Sequence, residues 1–180
     1  MKIFILLISL ATVLIFGCTK EKVEPMVVGK ISSEEIPDQE SWNSTVFISD
    51  SGKTRAILHA GNLKVFSKTK ETLLDRNIKI DFYNDDGIKT TTLTSKRGKV
   101  DERTNNLYAM DSVVAKNDSG IVINTDEMMW RNKDQKIVSD KFVKINTPSE
   151  SIEGYGFESD QHLRNYVIYN ITYVTIPDTI

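Results

Sequence analysis

Two histidines, one cysteine and a few paired acidic residues are the side chains of this 180-residue sequence best suited to chemistry. His59 and His162 lie far apart, and no second histidine or cysteine stands at the i, i+4 or C-x-x-C spacing that a metal site uses. Neither a G-x-S-x-G elbow nor a Walker A loop occurs. Gly154-Tyr155-Gly156-Phe157 runs into a strand pattern instead of a helix, so it does not form a nucleotide loop. Asp85-Asp86 falls at a turn, where Asp bonds to its own backbone. Two distant carboxylates of a glycosidase cannot be paired from sequence. The pattern points away from an enzyme, with no catalytic residue, no metal and no cofactor expected.

Cys18 carries a different chemistry. Lys2 is followed by residues 3–16, an uncharged and largely apolar stretch of fourteen residues. That is short of the ~20 residues a spanning helix needs and has the length of a signal peptide. Ile15-Phe16-Gly17-Cys18 then resembles a bacterial lipobox, with Phe16 in a place where a small residue is usual. Residues 1–17 are therefore expected to be a signal peptide and Cys18 the acylated first residue of the mature chain. Cys18 is the only cysteine, so it has no disulfide partner. Its acyl chains, at ~0.8 kcal/mol per buried CH₂, would hold the protein on a membrane. Loss of Lys2 leaves 22 basic and 25 acidic residues, a net charge of −3, which does not suit nucleic acid as a partner.

Positioning such an anchor falls to residues 18–40. They are rich in Lys and Glu, contain Pro25 and Pro37, and show no sustained apolar period, as in a flexible tether. Fully extended, they would reach up to ~70 Å at ~3.3 Å per residue. From Ser41 the pattern changes to short alternating strands. Asp50-Ser51-Gly52 marks a hairpin, Asp85-Asp86-Gly87 and Asn117-Asp118-Ser119-Gly120 mark turns, and residues 165–176 read as the longest strand. No stretch keeps the i, i+3, i+4, i+7 recurrence of an amphipathic helix, so residues 41–176 are expected to be an all-β domain.

Those strands repeat. Ala60-Gly61-Asn62-Leu63, Ser95-Lys96-Arg97-Gly98, Thr125-Asp126-Glu127-Met128 and Tyr155-Gly156-Phe157-Glu158 recur at 35 and then 30 residues. About 15 residues after each comes a second landmark. These are Asp75-Arg76-Asn77-Ile78, Met110-Asp111-Ser112-Val113, Asp140-Lys141-Phe142-Val143 and Asn170-Ile171-Thr172-Tyr173. A unit of two strands cannot bury its apolar face alone, so copies must stack. Trp42 and Trp130 are expected as packing anchors.

Three segments in order, Thr125-Asp126-Glu127-Met128-Met129-Trp130, then residues 137–145, then residues 152–160, resemble the LptC family. This is the periplasmic component of the lipopolysaccharide-export ABC transporter. Asp50-Ser51-Gly52 followed by Leu58-His59-Ala60 fits its lipoprotein-type members. The better-known members use a transmembrane helix where this chain has a signal peptide and lipobox. The resemblance implies a twisted, open β-jellyroll (OstA-like, LptC-like) of about fifteen short antiparallel strands on the periplasmic side of the inner membrane. Its interior would take lipopolysaccharide from LptF/LptG-type membrane subunits and pass it to an LptA-type bridge protein by strand pairing. Alternation nominates Ile48, Ile57, Leu63, Val65, Ile80, Phe82, Val113, Ile123, Val143, Ile145 and Ile168 for the lipid groove. Tyr166, Val167, Tyr169, Ile171 and Tyr173 are candidates for a partner edge strand, with Val167, Tyr169, Ile171 and Tyr173 on one face and Ile168 and Val174 on the other. An alternative is a periplasmic or surface lipoprotein that binds a glycan or protein and has no lipid groove; a soluble LptA-like bridge is a third reading that the lipobox disfavours.

Overall fold

Turns in this chain are built from side chains that accept their own backbone's N–H groups. Asn84 Oδ1 accepts from the N–H groups of Asp86 (3.0 Å) and Ile88 (2.9 Å). Asn117 Oδ1 does the same for Ser119 (3.0 Å) and Ile121 (2.9 Å). Asp160 accepts from the N–H groups of His162, Arg164 and Asn165, and from the Asn165 side chain at 2.8 Å. Burial pushes the Asp160 carboxyl up, but these donors outweigh it and hold it below its ordinary value of 3.8. Ser51 and Gly52 both take positive φ (52° and 78°), which a two-residue hairpin loop requires.

Between these turns run nine strands. The computed structural model describes residues 36–176, so residues 1–35, including Cys18 and most of the expected tether, lie outside the described residues. The strands are β1 (Gln39–Asp50), β2 (Lys53–Phe66), β3 (Glu71–Tyr83), β4 (Lys89–Asp101), β5 (Asn106–Asn117), β6 (Val122–Arg131), β7 (Lys136–Asn146), β8 (Ser151–Asp160) and β9 (Tyr166–Thr175). Each pairs antiparallel with the next in a single open sheet of order β1 to β9, and no helix occurs among the described residues. The all-β, jellyroll-like architecture is as expected. The strands number nine where the resemblance implied about fifteen, and pieces that read as separate short strands join through bulges.

Those bulges fall on the repeat landmarks. The register slips by one residue between His59 and Asn62, Asp75 and Ile78, Thr94 and Arg97, Met110 and Val113, Thr125 and Met129, and Ser139 and Phe142. In β8·β9 it slips between Glu153 and Gly154. At these slips β3, β5 and β7 carry the extra residue, and β2, β4, β6 and β8, one residue shorter there, change the parity of their buried face: Ala56, Leu58 and Ala60 give way to Leu63 in β2, and Ile123 and Thr125 to Met128 and Trp130 in β6. β3 and β5 keep their alternation by spending two left-handed residues, Arg76-Asn77 and Asp111-Ser112.

The line of bulges creases the sheet into two leaves. Leaf A holds the segments next to the β1–β2, β3–β4, β5–β6 and β7–β8 turns; leaf B holds those next to the other four turns. Phe82 of β3 lies in leaf A and Trp130 of β6 in leaf B, three strands away, yet their rings are 6.1 Å apart. The leaves therefore face each other, and their buried side chains form one core. Burial of each large apolar side chain there contributes ~1.5–3 kcal/mol. The crease needs glycine where backbones close in. A Cβ on Gly154 would lie 2.5 Å from the Asn170 carbonyl oxygen and 2.8 Å from Ile168 Cγ2.

Other expectations need correction. β1 starts at Gln39, inside the expected tether, because Gln39 and Glu40 pair with Val65 and Lys64. β2, with 14 residues, is longer than β9, with 10. Trp42 is 62% exposed on edge strand β1 and anchors nothing, whereas Trp130 is 3% exposed in the core.

Two predictions follow from the crease and the last turn. Gly154→Val should lower the urea midpoint by the equivalent of ~1–3 kcal/mol of overpacking, whereas Gly52→Asn, with open space around it, should leave the midpoint nearly unchanged. Asp160 stabilises the fold in full above its unfolded value near 3.8, and that contribution is lost as pH falls through its lower folded value. Thermal melts from pH 6 down to pH ~2.5 should show a smaller acid-induced loss in Asp160→Asn than in the unaltered protein.

Candidate functional site

The creased sheet presents three features: an interior between leaves, a cavity at one margin and an unpaired strand at each end. The interior comes first because the nominated groove residues fall mostly there. Ile80, Phe82, Val113, Ile123, Val143, Ile145 and Leu63 are buried in the core, and Ile48, Val65 and Ile168 pack partly exposed against it. Ile57 does not join them. It sits opposite Asp81 on the outer face, since Ala56 and Leu58 on either side of it point inward. Asp81 is itself held below its ordinary pKa: burial raises it, but bonds to Lys79 and Thr92 and the nearby Lys89 prevail.

Sequence alternation missed much of the other wall. Leu74, Leu107, Ile137 and Phe157 line leaf B, and Leu163 enters the core from the turn between β8 and β9. Leu107 and Ile137 each stand second in a strand that follows a polar turn, and that position was the available signal. Leu163 gave none, because it lies outside any alternating run.

A cavity of about 600 Å³ opens where β1 of leaf A meets β4–β6 of leaf B. Ile48, Val100, Leu107 and Trp130 supply apolar lining, and Phe47 stands exposed at its edge. Asp50, Asn105, Asn132, Lys133 and Gln135 supply polar groups from the adjacent turns. Of the eleven nominated groove residues only Ile48 lines it. An apolar lining with a polar rim suits an amphipathic molecule whose chain enters and whose polar part stays outside. Beside the rim, Arg131 bonds both Asp134 (2.6 Å) and Glu158 (3.2 Å), and Lys136 bonds Glu158. The Lys136 and Arg131 partners hold the Glu158 carboxyl below its ordinary value despite some burial, so β6, β7 and β8 are tied together there.

Each end of the sheet is a strand with one neighbour. In β9, Val167, Tyr169, Ile171 and Tyr173 are exposed, while Tyr166 is half-buried and stacks on Phe157 with centroids 6.2 Å apart. Ile171 is opposite Gly154 and so shares the inward face with Ile168 and Val174, instead of lying with Val167 and Tyr173. The slip at Thr172 is the reason. Ile171 is nevertheless 57% exposed, because the last strand has nothing beyond it.

The histidines do not meet. His59 Nδ1 is 3.0 Å from Thr45 Oγ1, and His162 Nδ1 is 2.6 Å from Thr90 Oγ1. No grouping of His, Cys, Asp and Glu able to hold a metal occurs among the described residues.

Comparison with known proteins bears on the whole chain. A family model described as "Lipopolysaccharide-assembly, LptC-related" matches residues 4–174. No curated protein matches the sequence.

Proposed function

This chain belongs to the LptC family, a non-catalytic component of lipopolysaccharide transport at the periplasmic side of the inner membrane, and we propose how its parts divide that work. Cys18, once acylated after removal of residues 1–17, anchors the protein, and residues 18–40 lift the domain from the membrane. Lipopolysaccharide is received from LptF/LptG-type subunits at the β1 end and leaves for an LptA-type protein at the β9 end. The observation that carries this reading is the cavity of mixed apolar and polar lining that opens at one margin of a creased sheet beside its apolar core.

Energetics explain why a protein path is needed. At ~0.8 kcal/mol per CH₂, exposing one twelve-carbon chain to water costs on the order of 10 kcal/mol. A chain held between the leaves avoids that cost, while its sugar and phosphates stay at the polar rim near Lys133. Direction cannot come from such a passive path, so ATP hydrolysis in the transporter must supply it. Strand pairing at β9 supports the exit: its free edge is a template for another strand, and the sequence from Tyr166 to Thr175 contains no charged residue to discourage one.

Photo-crosslinking tests the path. A photoreactive residue at Ile48 or Val100 should capture lipopolysaccharide in membranes, and one at Ile57 should not. Capture from Ile57 alone would overturn the interior route. The anchor has its own test, since Cys18→Ala should move the protein from the membrane to the soluble fraction. Purification from membranes should bring down LptF/LptG-type subunits with the unaltered chain; their absence would remove the assigned donor.

A further inference from the structure

The interior is shut on its open side by one short segment. Residues 161–165 leave β8 on leaf B and land on leaf A. His162 Nδ1 lies 2.6 Å from Thr90 Oγ1, Asn117 Nδ2 donates to the His162 carbonyl at 3.1 Å, and Arg164 meets the Asp118 carboxylate at 3.1 Å. These contacts join residues up to 72 positions apart in sequence, between turns at opposite lips of the crease. Leu163, although a turn residue, is fully buried within the core.

The closed arrangement also carries opposing terms. Leu163 sits at φ +56°, a left-handed conformation that is costly for a bulky L-residue. Gln161 is buried with its Oε1 unpaired, and Thr91, next to the Thr90 contact, is buried with its Oγ1 unpaired. Unpaired buried oxygens weigh against the state that buries them. Three polar links and one buried leucine thus hold the segment down, against strain and two unsatisfied oxygens. Such a segment is poised to move and is not locked.

Its place in the sheet gives that poise a consequence. The cavity lies at the β1 margin and the exposed inward face of Ile171 and Val174 at the β9 margin, and the segment crosses from β8 to β4 and β5 between them. We propose that residues 161–165 are a gate in which Leu163 occupies the space an acyl chain takes, so that passage toward β9 requires release of the segment from Thr90, Asn117 and Asp118. The gate rests on the interior lipid path proposed above. In the closed state Leu163 substitutes for the cargo and keeps the apolar interior dry. An arriving chain displaces it, and Gln161 and Thr91 gain the freedom to find partners.

The test uses the full chain and lipopolysaccharide labelled with a fluorophore on its sugar. Thr90→Val keeps the shape and strand propensity of Thr90 but removes the bond to His162, together with a long 3.5 Å contact to the Phe82 carbonyl. Leu163→Gly removes the plug and accepts the left-handed φ without strain. Hydrogen exchange at residues 161–165 should quicken in Thr90→Val while β3–β5 stay protected, and labelled lipid should load about tenfold faster in that variant, the effect of losing roughly one hydrogen bond, and at least as much faster in Leu163→Gly, which loses the buried side chain. Faster exchange with an unchanged loading rate would overturn the gate while leaving the interior path intact. Unchanged exchange in Thr90→Val would overturn the latch assignment. Failure of the unaltered protein and both variants to take up any lipid would sink the interior path, and the gate with it.

Discussion

Side chains on a β-strand alternate between faces, so a one-residue slip in pairing sends the following residues to the opposite side. In this protein that slip recurs in seven successive pairs, from β2·β3 to β8·β9, and the rest of the structure depends on it. Without the slips a nine-stranded meander would be an open sheet with an apolar face exposed to water. With them the sheet creases, and leaf A covers leaf B. An extra residue absorbed by left-handed pairs in β3 and β5, and a change of buried parity in the even strands, are two halves of one solution: together they keep apolar groups on the inside of the bend. The crowding around Gly61 and Gly154 marks how closely the backbones approach there.

A sheet closed on itself by a crease, instead of by pairing its ends, keeps two free margins. Proteins that must avoid edge pairing place charges or proline on such strands. β9 instead exposes Val167, Tyr169, Ile171 and Tyr173 and has no charged residue, and β1 exposes Trp42 and Phe47. The same topology packs the buried side chains of both leaves into one core that reaches toward both margins, so margins and interior belong to one arrangement. A family whose work is moving an acylated molecule between partners finds both needs met by one repeated device. The charged network of Arg131, Asp134, Lys136 and Glu158 lies outside this interior, where its groups remain partly hydrated and screening keeps each pair's contribution small.

Strand alternation was legible wherever a strand ran without interruption. Ile78, Ile80 and Phe82 read as one face and are one face. The landmarks Asp75-Arg76-Asn77-Ile78 and Met110-Asp111-Ser112-Val113 were also legible as a repeat, because Asn, Asp and their neighbours at recurrent spacing are what a left-handed bulge demands. That the repeat was one of bends was not legible, since a bulge and a turn draw on the same residues. This is why the pattern reads as short strands separated by turns where nine bent ones exist. Ile57 and Ile171 were misassigned for a related reason: which parity faces inward is set by the position of a slip in the partner strand, and that is a property of the pair.

The sequence by itself determined the strand class, the spacing of the bends, the absence of common catalytic motifs and, through three ordered segments, the family. It did so because alternation, turn residues and motif spacing are local along the chain. Only the tertiary structure decided that Trp130 meets Phe82, that the cavity gathers Ile48 with Val100 and Leu107, and that Leu163 enters the core from a turn. Each of those contacts joins segments brought together by the accumulated bend of several strand pairs. No local pattern encodes that sum, which exists only once the leaves have closed.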